Sequence, residues 1–198
     1  MADGKPHNDA PHRAPLPQSP LADLHRLVWT ALMAALIGAG AYLVAPIGPV
    51  PVSMQPFFIF LAGYLLGPRH AVLAMGLYLL AGVIGLPVFA GGKSGLGYLL
   101  GPTGGYLFGF LGTALICGLA RPREGGLPLL RGVAAGLAAV GLAYITGAVW
   151  LKFVLTLTWT EAVVLGVLPF IPWDILKVAA ALVCARHMIR LGLTPDDR

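Results

Sequence analysis

Two charged side chains stand in one of the most apolar parts of this chain. Residues 168–177 read LPFIPWDILK, with Asp174 and Lys177 three positions apart just after Pro172. A proline two residues ahead suits the first turn of a helix, where its missing N–H is no loss. Asp174 then falls in that turn, beside the positive end of the helix dipole. The i, i+3 spacing turns Lys177 onto the same face. A carboxylate in this position can accept ligand N–H groups, and an ammonium one turn on can donate to a carbonyl or carboxylate. The plainer alternative is an internal ion pair that lets the helix enter a bilayer and staples it to a neighbour. The second chemically suggestive stretch is residues 91–105, with seven glycines in fifteen positions. Such backbone can approach a ligand closely, and Phe89, Tyr98, Tyr106 and Trp173 supply rings to enclose an apolar body. The stretch follows no strand, so a nucleotide-binding reading is discounted.

These residues must be positioned by elements of a particular kind. Of the 198 residues, 58% are hydrophobic and only 11% charged. Mean hydropathy is +0.83. Soluble domains carry about 25% charged residues, so the chain reads as an all-α integral membrane protein. An enzyme reading lacks its parts: no second carboxylate lies near Asp174, and no histidine falls in an apolar run before His187. Glu161 and His70 are isolated and read as solvated residues. Cys117 and Cys184 each sit in an apolar run with no Cys or His at ligand spacing, which argues against a disulfide or a metal. The net charge of +5 follows membrane topology and not a nucleic-acid surface.

Residues 1–25, rich in Pro, His and Asp, read as a disordered cytoplasmic tail with no signal-peptide pattern. The membrane domain is expected over 26–192, with a short C-terminal tail at 193–198. Its six spans fall at about 27–45, 52–67, 71–86, 106–120, 132–151 and 172–188. Ala31, Ala35 and Ala39 draw a small-residue stripe along the first, which would let another helix approach closely. Residues 46–51 hold three prolines and must be a loop. Residues 152–171, apolar but broken by threonines and Pro169, read as a loop with a short, partly buried helix; one kinked span starting at Glu161 is the alternative. With both termini inside, ten of the thirteen basic residues are cytoplasmic, and only Lys93 and Lys152 lie in outer loops. Irregular backbone at membrane depth survives only where it is buried in protein or lines a cavity. The loops at 46–51, 91–105 and 152–171, all on the outer side with Asp174 and Lys177, therefore predict a lidded substrate pocket.

At this level of detail the chain resembles a known family. The glycine-rich loop with its flanks, residues 85–92 (GLPVFAGG) through 101–106 (GPTGGY), together with the Pro169-x-x-Pro172-x-Asp174-x-x-Lys177 pattern, is similar to the BioY biotin transporters. These are substrate-binding S components of energy-coupling factor (ECF) transporters. The resemblance covers nearly all of 27–188 and leaves the tail at 1–25 outside. It implies six helices and biotin bound from the outer face as the substrate, with no cofactor. The implied setting is a bacterial plasma membrane, with a transmembrane T component and two ATPases as partners. It also implies that Asp174 and Lys177 bind biotin, and that Gly91, Gly92, Ser94 and Gly97 of the loop contribute with Phe89, Tyr98 and Tyr106. The Ala31/Ala35/Ala39 stripe resembles the surface S components turn toward the T component. Lys93 has no matching role. A structural membrane protein with no ligand, or an S component for another vitamin, remains the alternative.

Overall fold

A computed structural model describes residues 20–121 and 126–194. The fold is mostly helical: α1 (Pro20–Tyr42), α2 (Gln55–Val83), α3 (Leu96–Leu99), α4 (Gly104–Ala120), α5 (Leu129–Val154), α6 (Trp159–Gly166) and α7 (Ile171–Arg190). A two-stranded antiparallel hairpin, β1 (Val44–Ala45) and β2 (Val52–Ser53), joins α1 to α2. Helix α1 begins at Pro20, seven residues before the first predicted span and inside the stretch expected to be a tail. Proline is at home in a first helical turn, and Asp23 in that turn complements the dipole. Residues 1–19 of the expected tail, and 195–198 of the C-terminal one, lie outside the described residues.

Helix α2 is broken at Gly67, whose φ of 77° and ψ of 176° are open to glycine and strained for other residues. Pro68 then starts the second leg as a first-turn residue. The polar turn predicted at 68–70 is thus a single-residue break followed directly by helix. Both ends of α2 lie at the same end of the molecule. Gly40 of α1 abuts Gln55 and Phe58 of the first leg, while Gly38 lies against Tyr78 and Val88, and the Tyr42 hydroxyl donates to the Pro87 carbonyl. Helix α2 is therefore a helical hairpin with legs 55–66 and 68–83.

This hairpin is the centre of the fold, with α1, α4 and α7 packed against it and α5 packed against α4. Between apolar helices in lipid the hydrophobic effect gives little drive, so close backbone approach through small residues does the work. A Cβ on Gly63 would stand 2.5 Å from Cβ of Cys117, and one on Gly118 would stand 2.5 Å from the Pro68 backbone. The Tyr64 hydroxyl donates to the Gly132 carbonyl at 2.7 Å, tying α2 to the start of α5. Among the described residues three helices are long and apolar enough, by length and composition, to cross a membrane, Asp23–Tyr42, Gln55–Val83 and Leu129–Val154, although the break at Gly67 divides the second into two shorter legs. Trp159–Gly166 and Ile171–Arg190 form a pair bent by 47° that qualifies together, and Gly104–Ala120 is a shorter apolar helix. Helix α7 starts at Ile171 with Pro172 in its first turn, within one residue of the predicted start, and the short helix expected before it is α6.

Candidate functional site

Asp174 sits in the first turn of α7, its backbone N–H bonded to the Phe170 carbonyl at 2.9 Å. Its side chain faces inward, and both residues are buried, Asp174 at 7% exposure and Lys177 at 6% over the whole residue. The Lys177 ammonium donates to Asp174 Oδ1 at 2.8 Å. A second donor arrives from α5, where the Tyr144 hydroxyl bonds Asp174 Oδ2 at 2.9 Å. Two buried charges are costly unless each finds its opposite and the remaining lone pairs are used. Here each carboxylate oxygen has a donor and can accept one more. Of the three N–H groups of Lys177, one is used on Asp174.

The cluster opens onto a cavity of about 680 Å³, counting its mouth. The β hairpin and the first leg of α2 supply one wall through Pro51, Ser53, Gln55 and Phe60. Ala90 comes from just before the glycine-rich stretch, Tyr98 and Thr103 from within it, and Tyr106, Phe110 and Thr113 from α4. Tyr144 of α5 and Phe170, Asp174 and Lys177 at the start of α7 complete it. Tyr106 is held by donating to the Gly166 carbonyl of α6. Its ring fills the space where a Cβ on Gly147 would fall, 2.2 Å from Cε1, so glycine in α5 makes room for it. The cavity lies at the end of the fold that holds Tyr42 and Gln55, away from the Gly67 break where Arg121 packs.

The predicted site residues divide into two groups. Asp174, Lys177, Tyr98 and Tyr106 line the cavity together. Phe89 stands behind the wall: fully buried, it stacks on Tyr98 with ring centroids 5.1 Å apart and meets Tyr78 edge-on at 5.6 Å. Gly82 leaves the space its ring occupies. Gly91, Gly92, Ser94 and Gly97 are not among the lining residues. Gly91 and Gly92 adopt φ of 71° and 74° and turn the chain so that Phe89 pairs with Lys93. They carry Ala90 and Tyr98 to the cavity without facing it. The stretch is not wholly irregular either, since α3 forms one turn over Leu96–Leu99. Gly92, Lys93 and Ser94 spell the end of a phosphate loop, yet Pro87 stands where its leading glycine belongs.

Trp173 is 52% exposed and points away from the cavity. Neighbouring residues on a helix are about 100° apart, so the residue before an inward Asp174 faces outward. The Lys93 ammonium lies 5.7 Å from the Tyr98 ring centroid. Burial pushes the Tyr98 phenol above its usual range, with the hydrogen bond to Thr103 opposing. Glu161 is explained by helix capping: it closes a capping box with Thr158 at the start of α6. Tyr144 and Gln55 are not singled out by sequence reasoning. The available signal is a polar group inside an otherwise apolar run, the same signal that marks Asp174.

A helical membrane protein with a cavity closed at one side by a buried ion pair and walled by aromatics is the class these features define. The chain belongs to the BioY family, whose match runs over residues 13–193. It is 40% identical over 168 residues to the biotin transporter BioY of Thermotoga maritima, covering 85% of this chain and 98% of that one. It is 41% identical over 159 residues to the probable biotin transporter BioY of Pyrococcus horikoshii, covering 80% and 92%. The fold matches a 2.1 Å crystal structure of the S-component for biotin from an ECF-type ABC transporter, with a TM-score of 0.78, 29% identity, and 87% and 95% of the two chains covered.

Proposed function

We infer that this protein is the membrane-embedded biotin-binding component of a vitamin uptake system. The observation that carries this reading is the buried Asp174–Lys177–Tyr144 cluster opening onto the cavity, in a chain whose family relatives are biotin transporters. Biotin has a ureido head with two N–H donors and one carbonyl, an apolar thioether ring and a carboxylated tail. The remaining lone pairs of Asp174 accept from the ureido N–H groups, and Lys177 donates to the ureido carbonyl. The rings of Tyr98 and Tyr106 enclose the bicyclic body. Phe89, Gly91, Gly92, Ser94 and Gly97 support that wall and shape its outer rim.

The chain crosses the membrane six times, through α1, the two legs of α2, α4, α5 and α7, with residues 26–192 as the membrane body. Residues 55–66 rise only about 18 Å at 1.5 Å per residue, so this leg stops short of a hydrocarbon core of roughly 30 Å. The depth it leaves is where the cavity lies, with the hairpin at 44–53 above it as part of a lid. Both termini are cytoplasmic in a bacterial plasma membrane: Arg121 packs at the Gly67 break, the end opposite the cavity, and Arg131 donates to the Leu119 carbonyl beside it. The protein is not an enzyme. Concentrative uptake then depends on partners, a T component and two ATPases. Ala31, Ala35 and Ala39, all exposed on the face of α1 opposite buried Met33 and Ile37, offer the T component a close approach.

Thermal unfolding of the purified protein with biotin, thiamine and riboflavin tests the substrate. A ligand at 100 times its Kd stabilises by about 2.7 kcal/mol. The expected result is a shift with biotin alone. No shift with biotin overturns the assignment, and a shift with another vitamin replaces it.

A further inference from the structure

A second depression lies apart from the biotin cavity, on the outside of the helix bundle. Between α4 and α5 an apolar groove of about 1050 Å³, counting its open side, is lined by Gly105, Phe108, Thr146, Val149, Trp150 and Phe153. Glycine at 105 lets Trp150 close against α4, since a Cβ there would stand 2.2 Å from Cβ of Trp150. The polar side-chain groups in the groove are already engaged. Thr146 returns its hydroxyl to the Leu142 carbonyl at 3.0 Å, and the Trp150 indole donates to the Gly101 carbonyl at 2.9 Å. Phe108 and Phe153 are 45% and 69% exposed. The groove therefore offers a ligand rings and methyl groups but no side-chain donor.

The groove ends at a cation. Lys152, in the last turn of α5, holds its ammonium 5.4 Å from the ring centroid of Phe153, which lines the groove, and 5.2 Å from that of Trp159. One of its three N–H groups is bonded to the Leu157 carbonyl at 3.2 Å, which leaves two to give. Among the described residues no carboxylate pairs with it. Glu161, at the start of α6, is taken up by its capping box with Thr158. Trp159 is 57% exposed, and tryptophan beside lysine at the end of an apolar helix marks the level of the lipid headgroups. Residues 146–154 rise about 12 Å along α5 at 1.5 Å per residue, close to the roughly 15 Å that one leaflet gives to a hydrocarbon core of about 30 Å.

We propose that the α4–α5 groove binds one anionic phospholipid of the leaflet on the cavity side, with an acyl chain along Phe108, Trp150 and Phe153 and the phosphate on Lys152. A small soluble anion would use the cation and leave the apolar groove empty. A zwitterionic lipid would bring a positive group of its own toward Lys152. An amphiphile with a net negative head uses both features. The site is separate from the biotin cavity, because Tyr106 of α4 lines the cavity while Gly105 and Phe108 of the same helix line the groove.

The test is native mass spectrometry of the full chain in detergent, given equimolar phosphatidylglycerol and phosphatidylcholine with the same acyl chains. One basic side chain at headgroup level corresponds to a preference of roughly fivefold, which wild type should show for phosphatidylglycerol as the first bound lipid. Lys152→Gln should bring that ratio below about twofold, and Lys152→Arg, which keeps the charge, should preserve it. Lys93→Gln removes the charge that lies over the Tyr98 ring instead and should leave the ratio unchanged. Val149→Trp fills the groove and should lower retention of both lipids. Thermal midpoints near that of wild type, measured without added lipid, establish that the variants are folded. Equal retention of the two lipids by wild type, a preference that survives Lys152→Gln, or an equal loss with Lys93→Gln overturns the proposal. A dimer that Val149→Trp dissociates would assign the groove to a second copy of the chain and overturn it as well.

Discussion

Replacing Asp174 by Asn leaves the Lys177 ammonium in place with its counter-charge gone. Both side chains are buried, Lys177 at 7% and Asp174 at 9% side-chain exposure, and their closest atoms are 2.8 Å apart. Breaking a buried pair by removing one partner costs about 3–5 kcal/mol, because the remaining charge has neither water nor an opposite. The single variant should therefore be less stable as well as binding-deficient, and its loss of binding alone would prove little. The informative protein is the double variant Asp174→Asn with Lys177→Met, which removes both charges. Replacing a whole buried pair by neutral residues is often close to neutral for stability, so its thermal midpoint should return most of the way toward wild type. Its affinity should not return. Two charge-assisted contacts to biotin at about 1.5–3 kcal/mol each correspond to roughly a hundredfold to ten-thousandfold weaker binding. Thermal unfolding and calorimetric titration on the same detergent-solubilised samples separate the two effects. A double variant that is stable and binds biotin like wild type would refute the ligand role and leave the pair as a staple for α7.

Two further outcomes follow from the geometry. Tyr144→Phe removes the 2.9 Å bond to Asp174 Oδ2 and keeps the ring, so biotin affinity by titration should fall about tenfold. At the start of α6, hydrogen bonds from the Thr158 backbone and then from its side chain hold the Glu161 carboxyl below its usual 4.5. A lowered folded-state value stabilises above the unfolded one and is lost as pH falls through the lowered range. Amide protection in the first turn of α6, taken relative to the intrinsic exchange rate at each pH, should fall below about pH 4.5, and Glu161→Gln should abolish that pH step.

The helical skeleton is legible in the sequence wherever a residue type forces a local geometry. Pro172 sets the start of α7 to within one residue, and the Gly67-Pro68 pair marks the break in α2, although the polar Arg69 and His70 suggest a longer turn than one glycine needs. The start of α1 is less legible, because Asp23, His25 and Arg26 interrupt the apolar run and only the helix itself carries the register back to Pro20. The hairpin between α1 and α2 reads as loop, since strands of two residues leave no alternation to detect. Asp174 and Lys177 stand out because charge in an apolar run has no cheap explanation. Tyr144 and Gln55 do not: tyrosine is common in apolar helices, and a lone glutamine next to Pro56 looks like an ordinary helix start. Their roles depend on which helices lie opposite, and α5 meets α7 only through tertiary packing. The glycine-rich stretch suggests direct contact with the ligand, whereas Gly91 and Gly92 shape turns that bring Ala90 and Tyr98 to the wall.

If biotin sits in the cavity closed by Asp174, Lys177 and Tyr144, an experimental structure of the protein saturated with biotin must show it there. The ureido ring is expected within hydrogen-bond distance of Asp174 and Lys177, between the rings of Tyr98 and Tyr106. Biotin bound elsewhere on the molecule, or the ion pair undisturbed with no ligand beside it, would contradict this assignment.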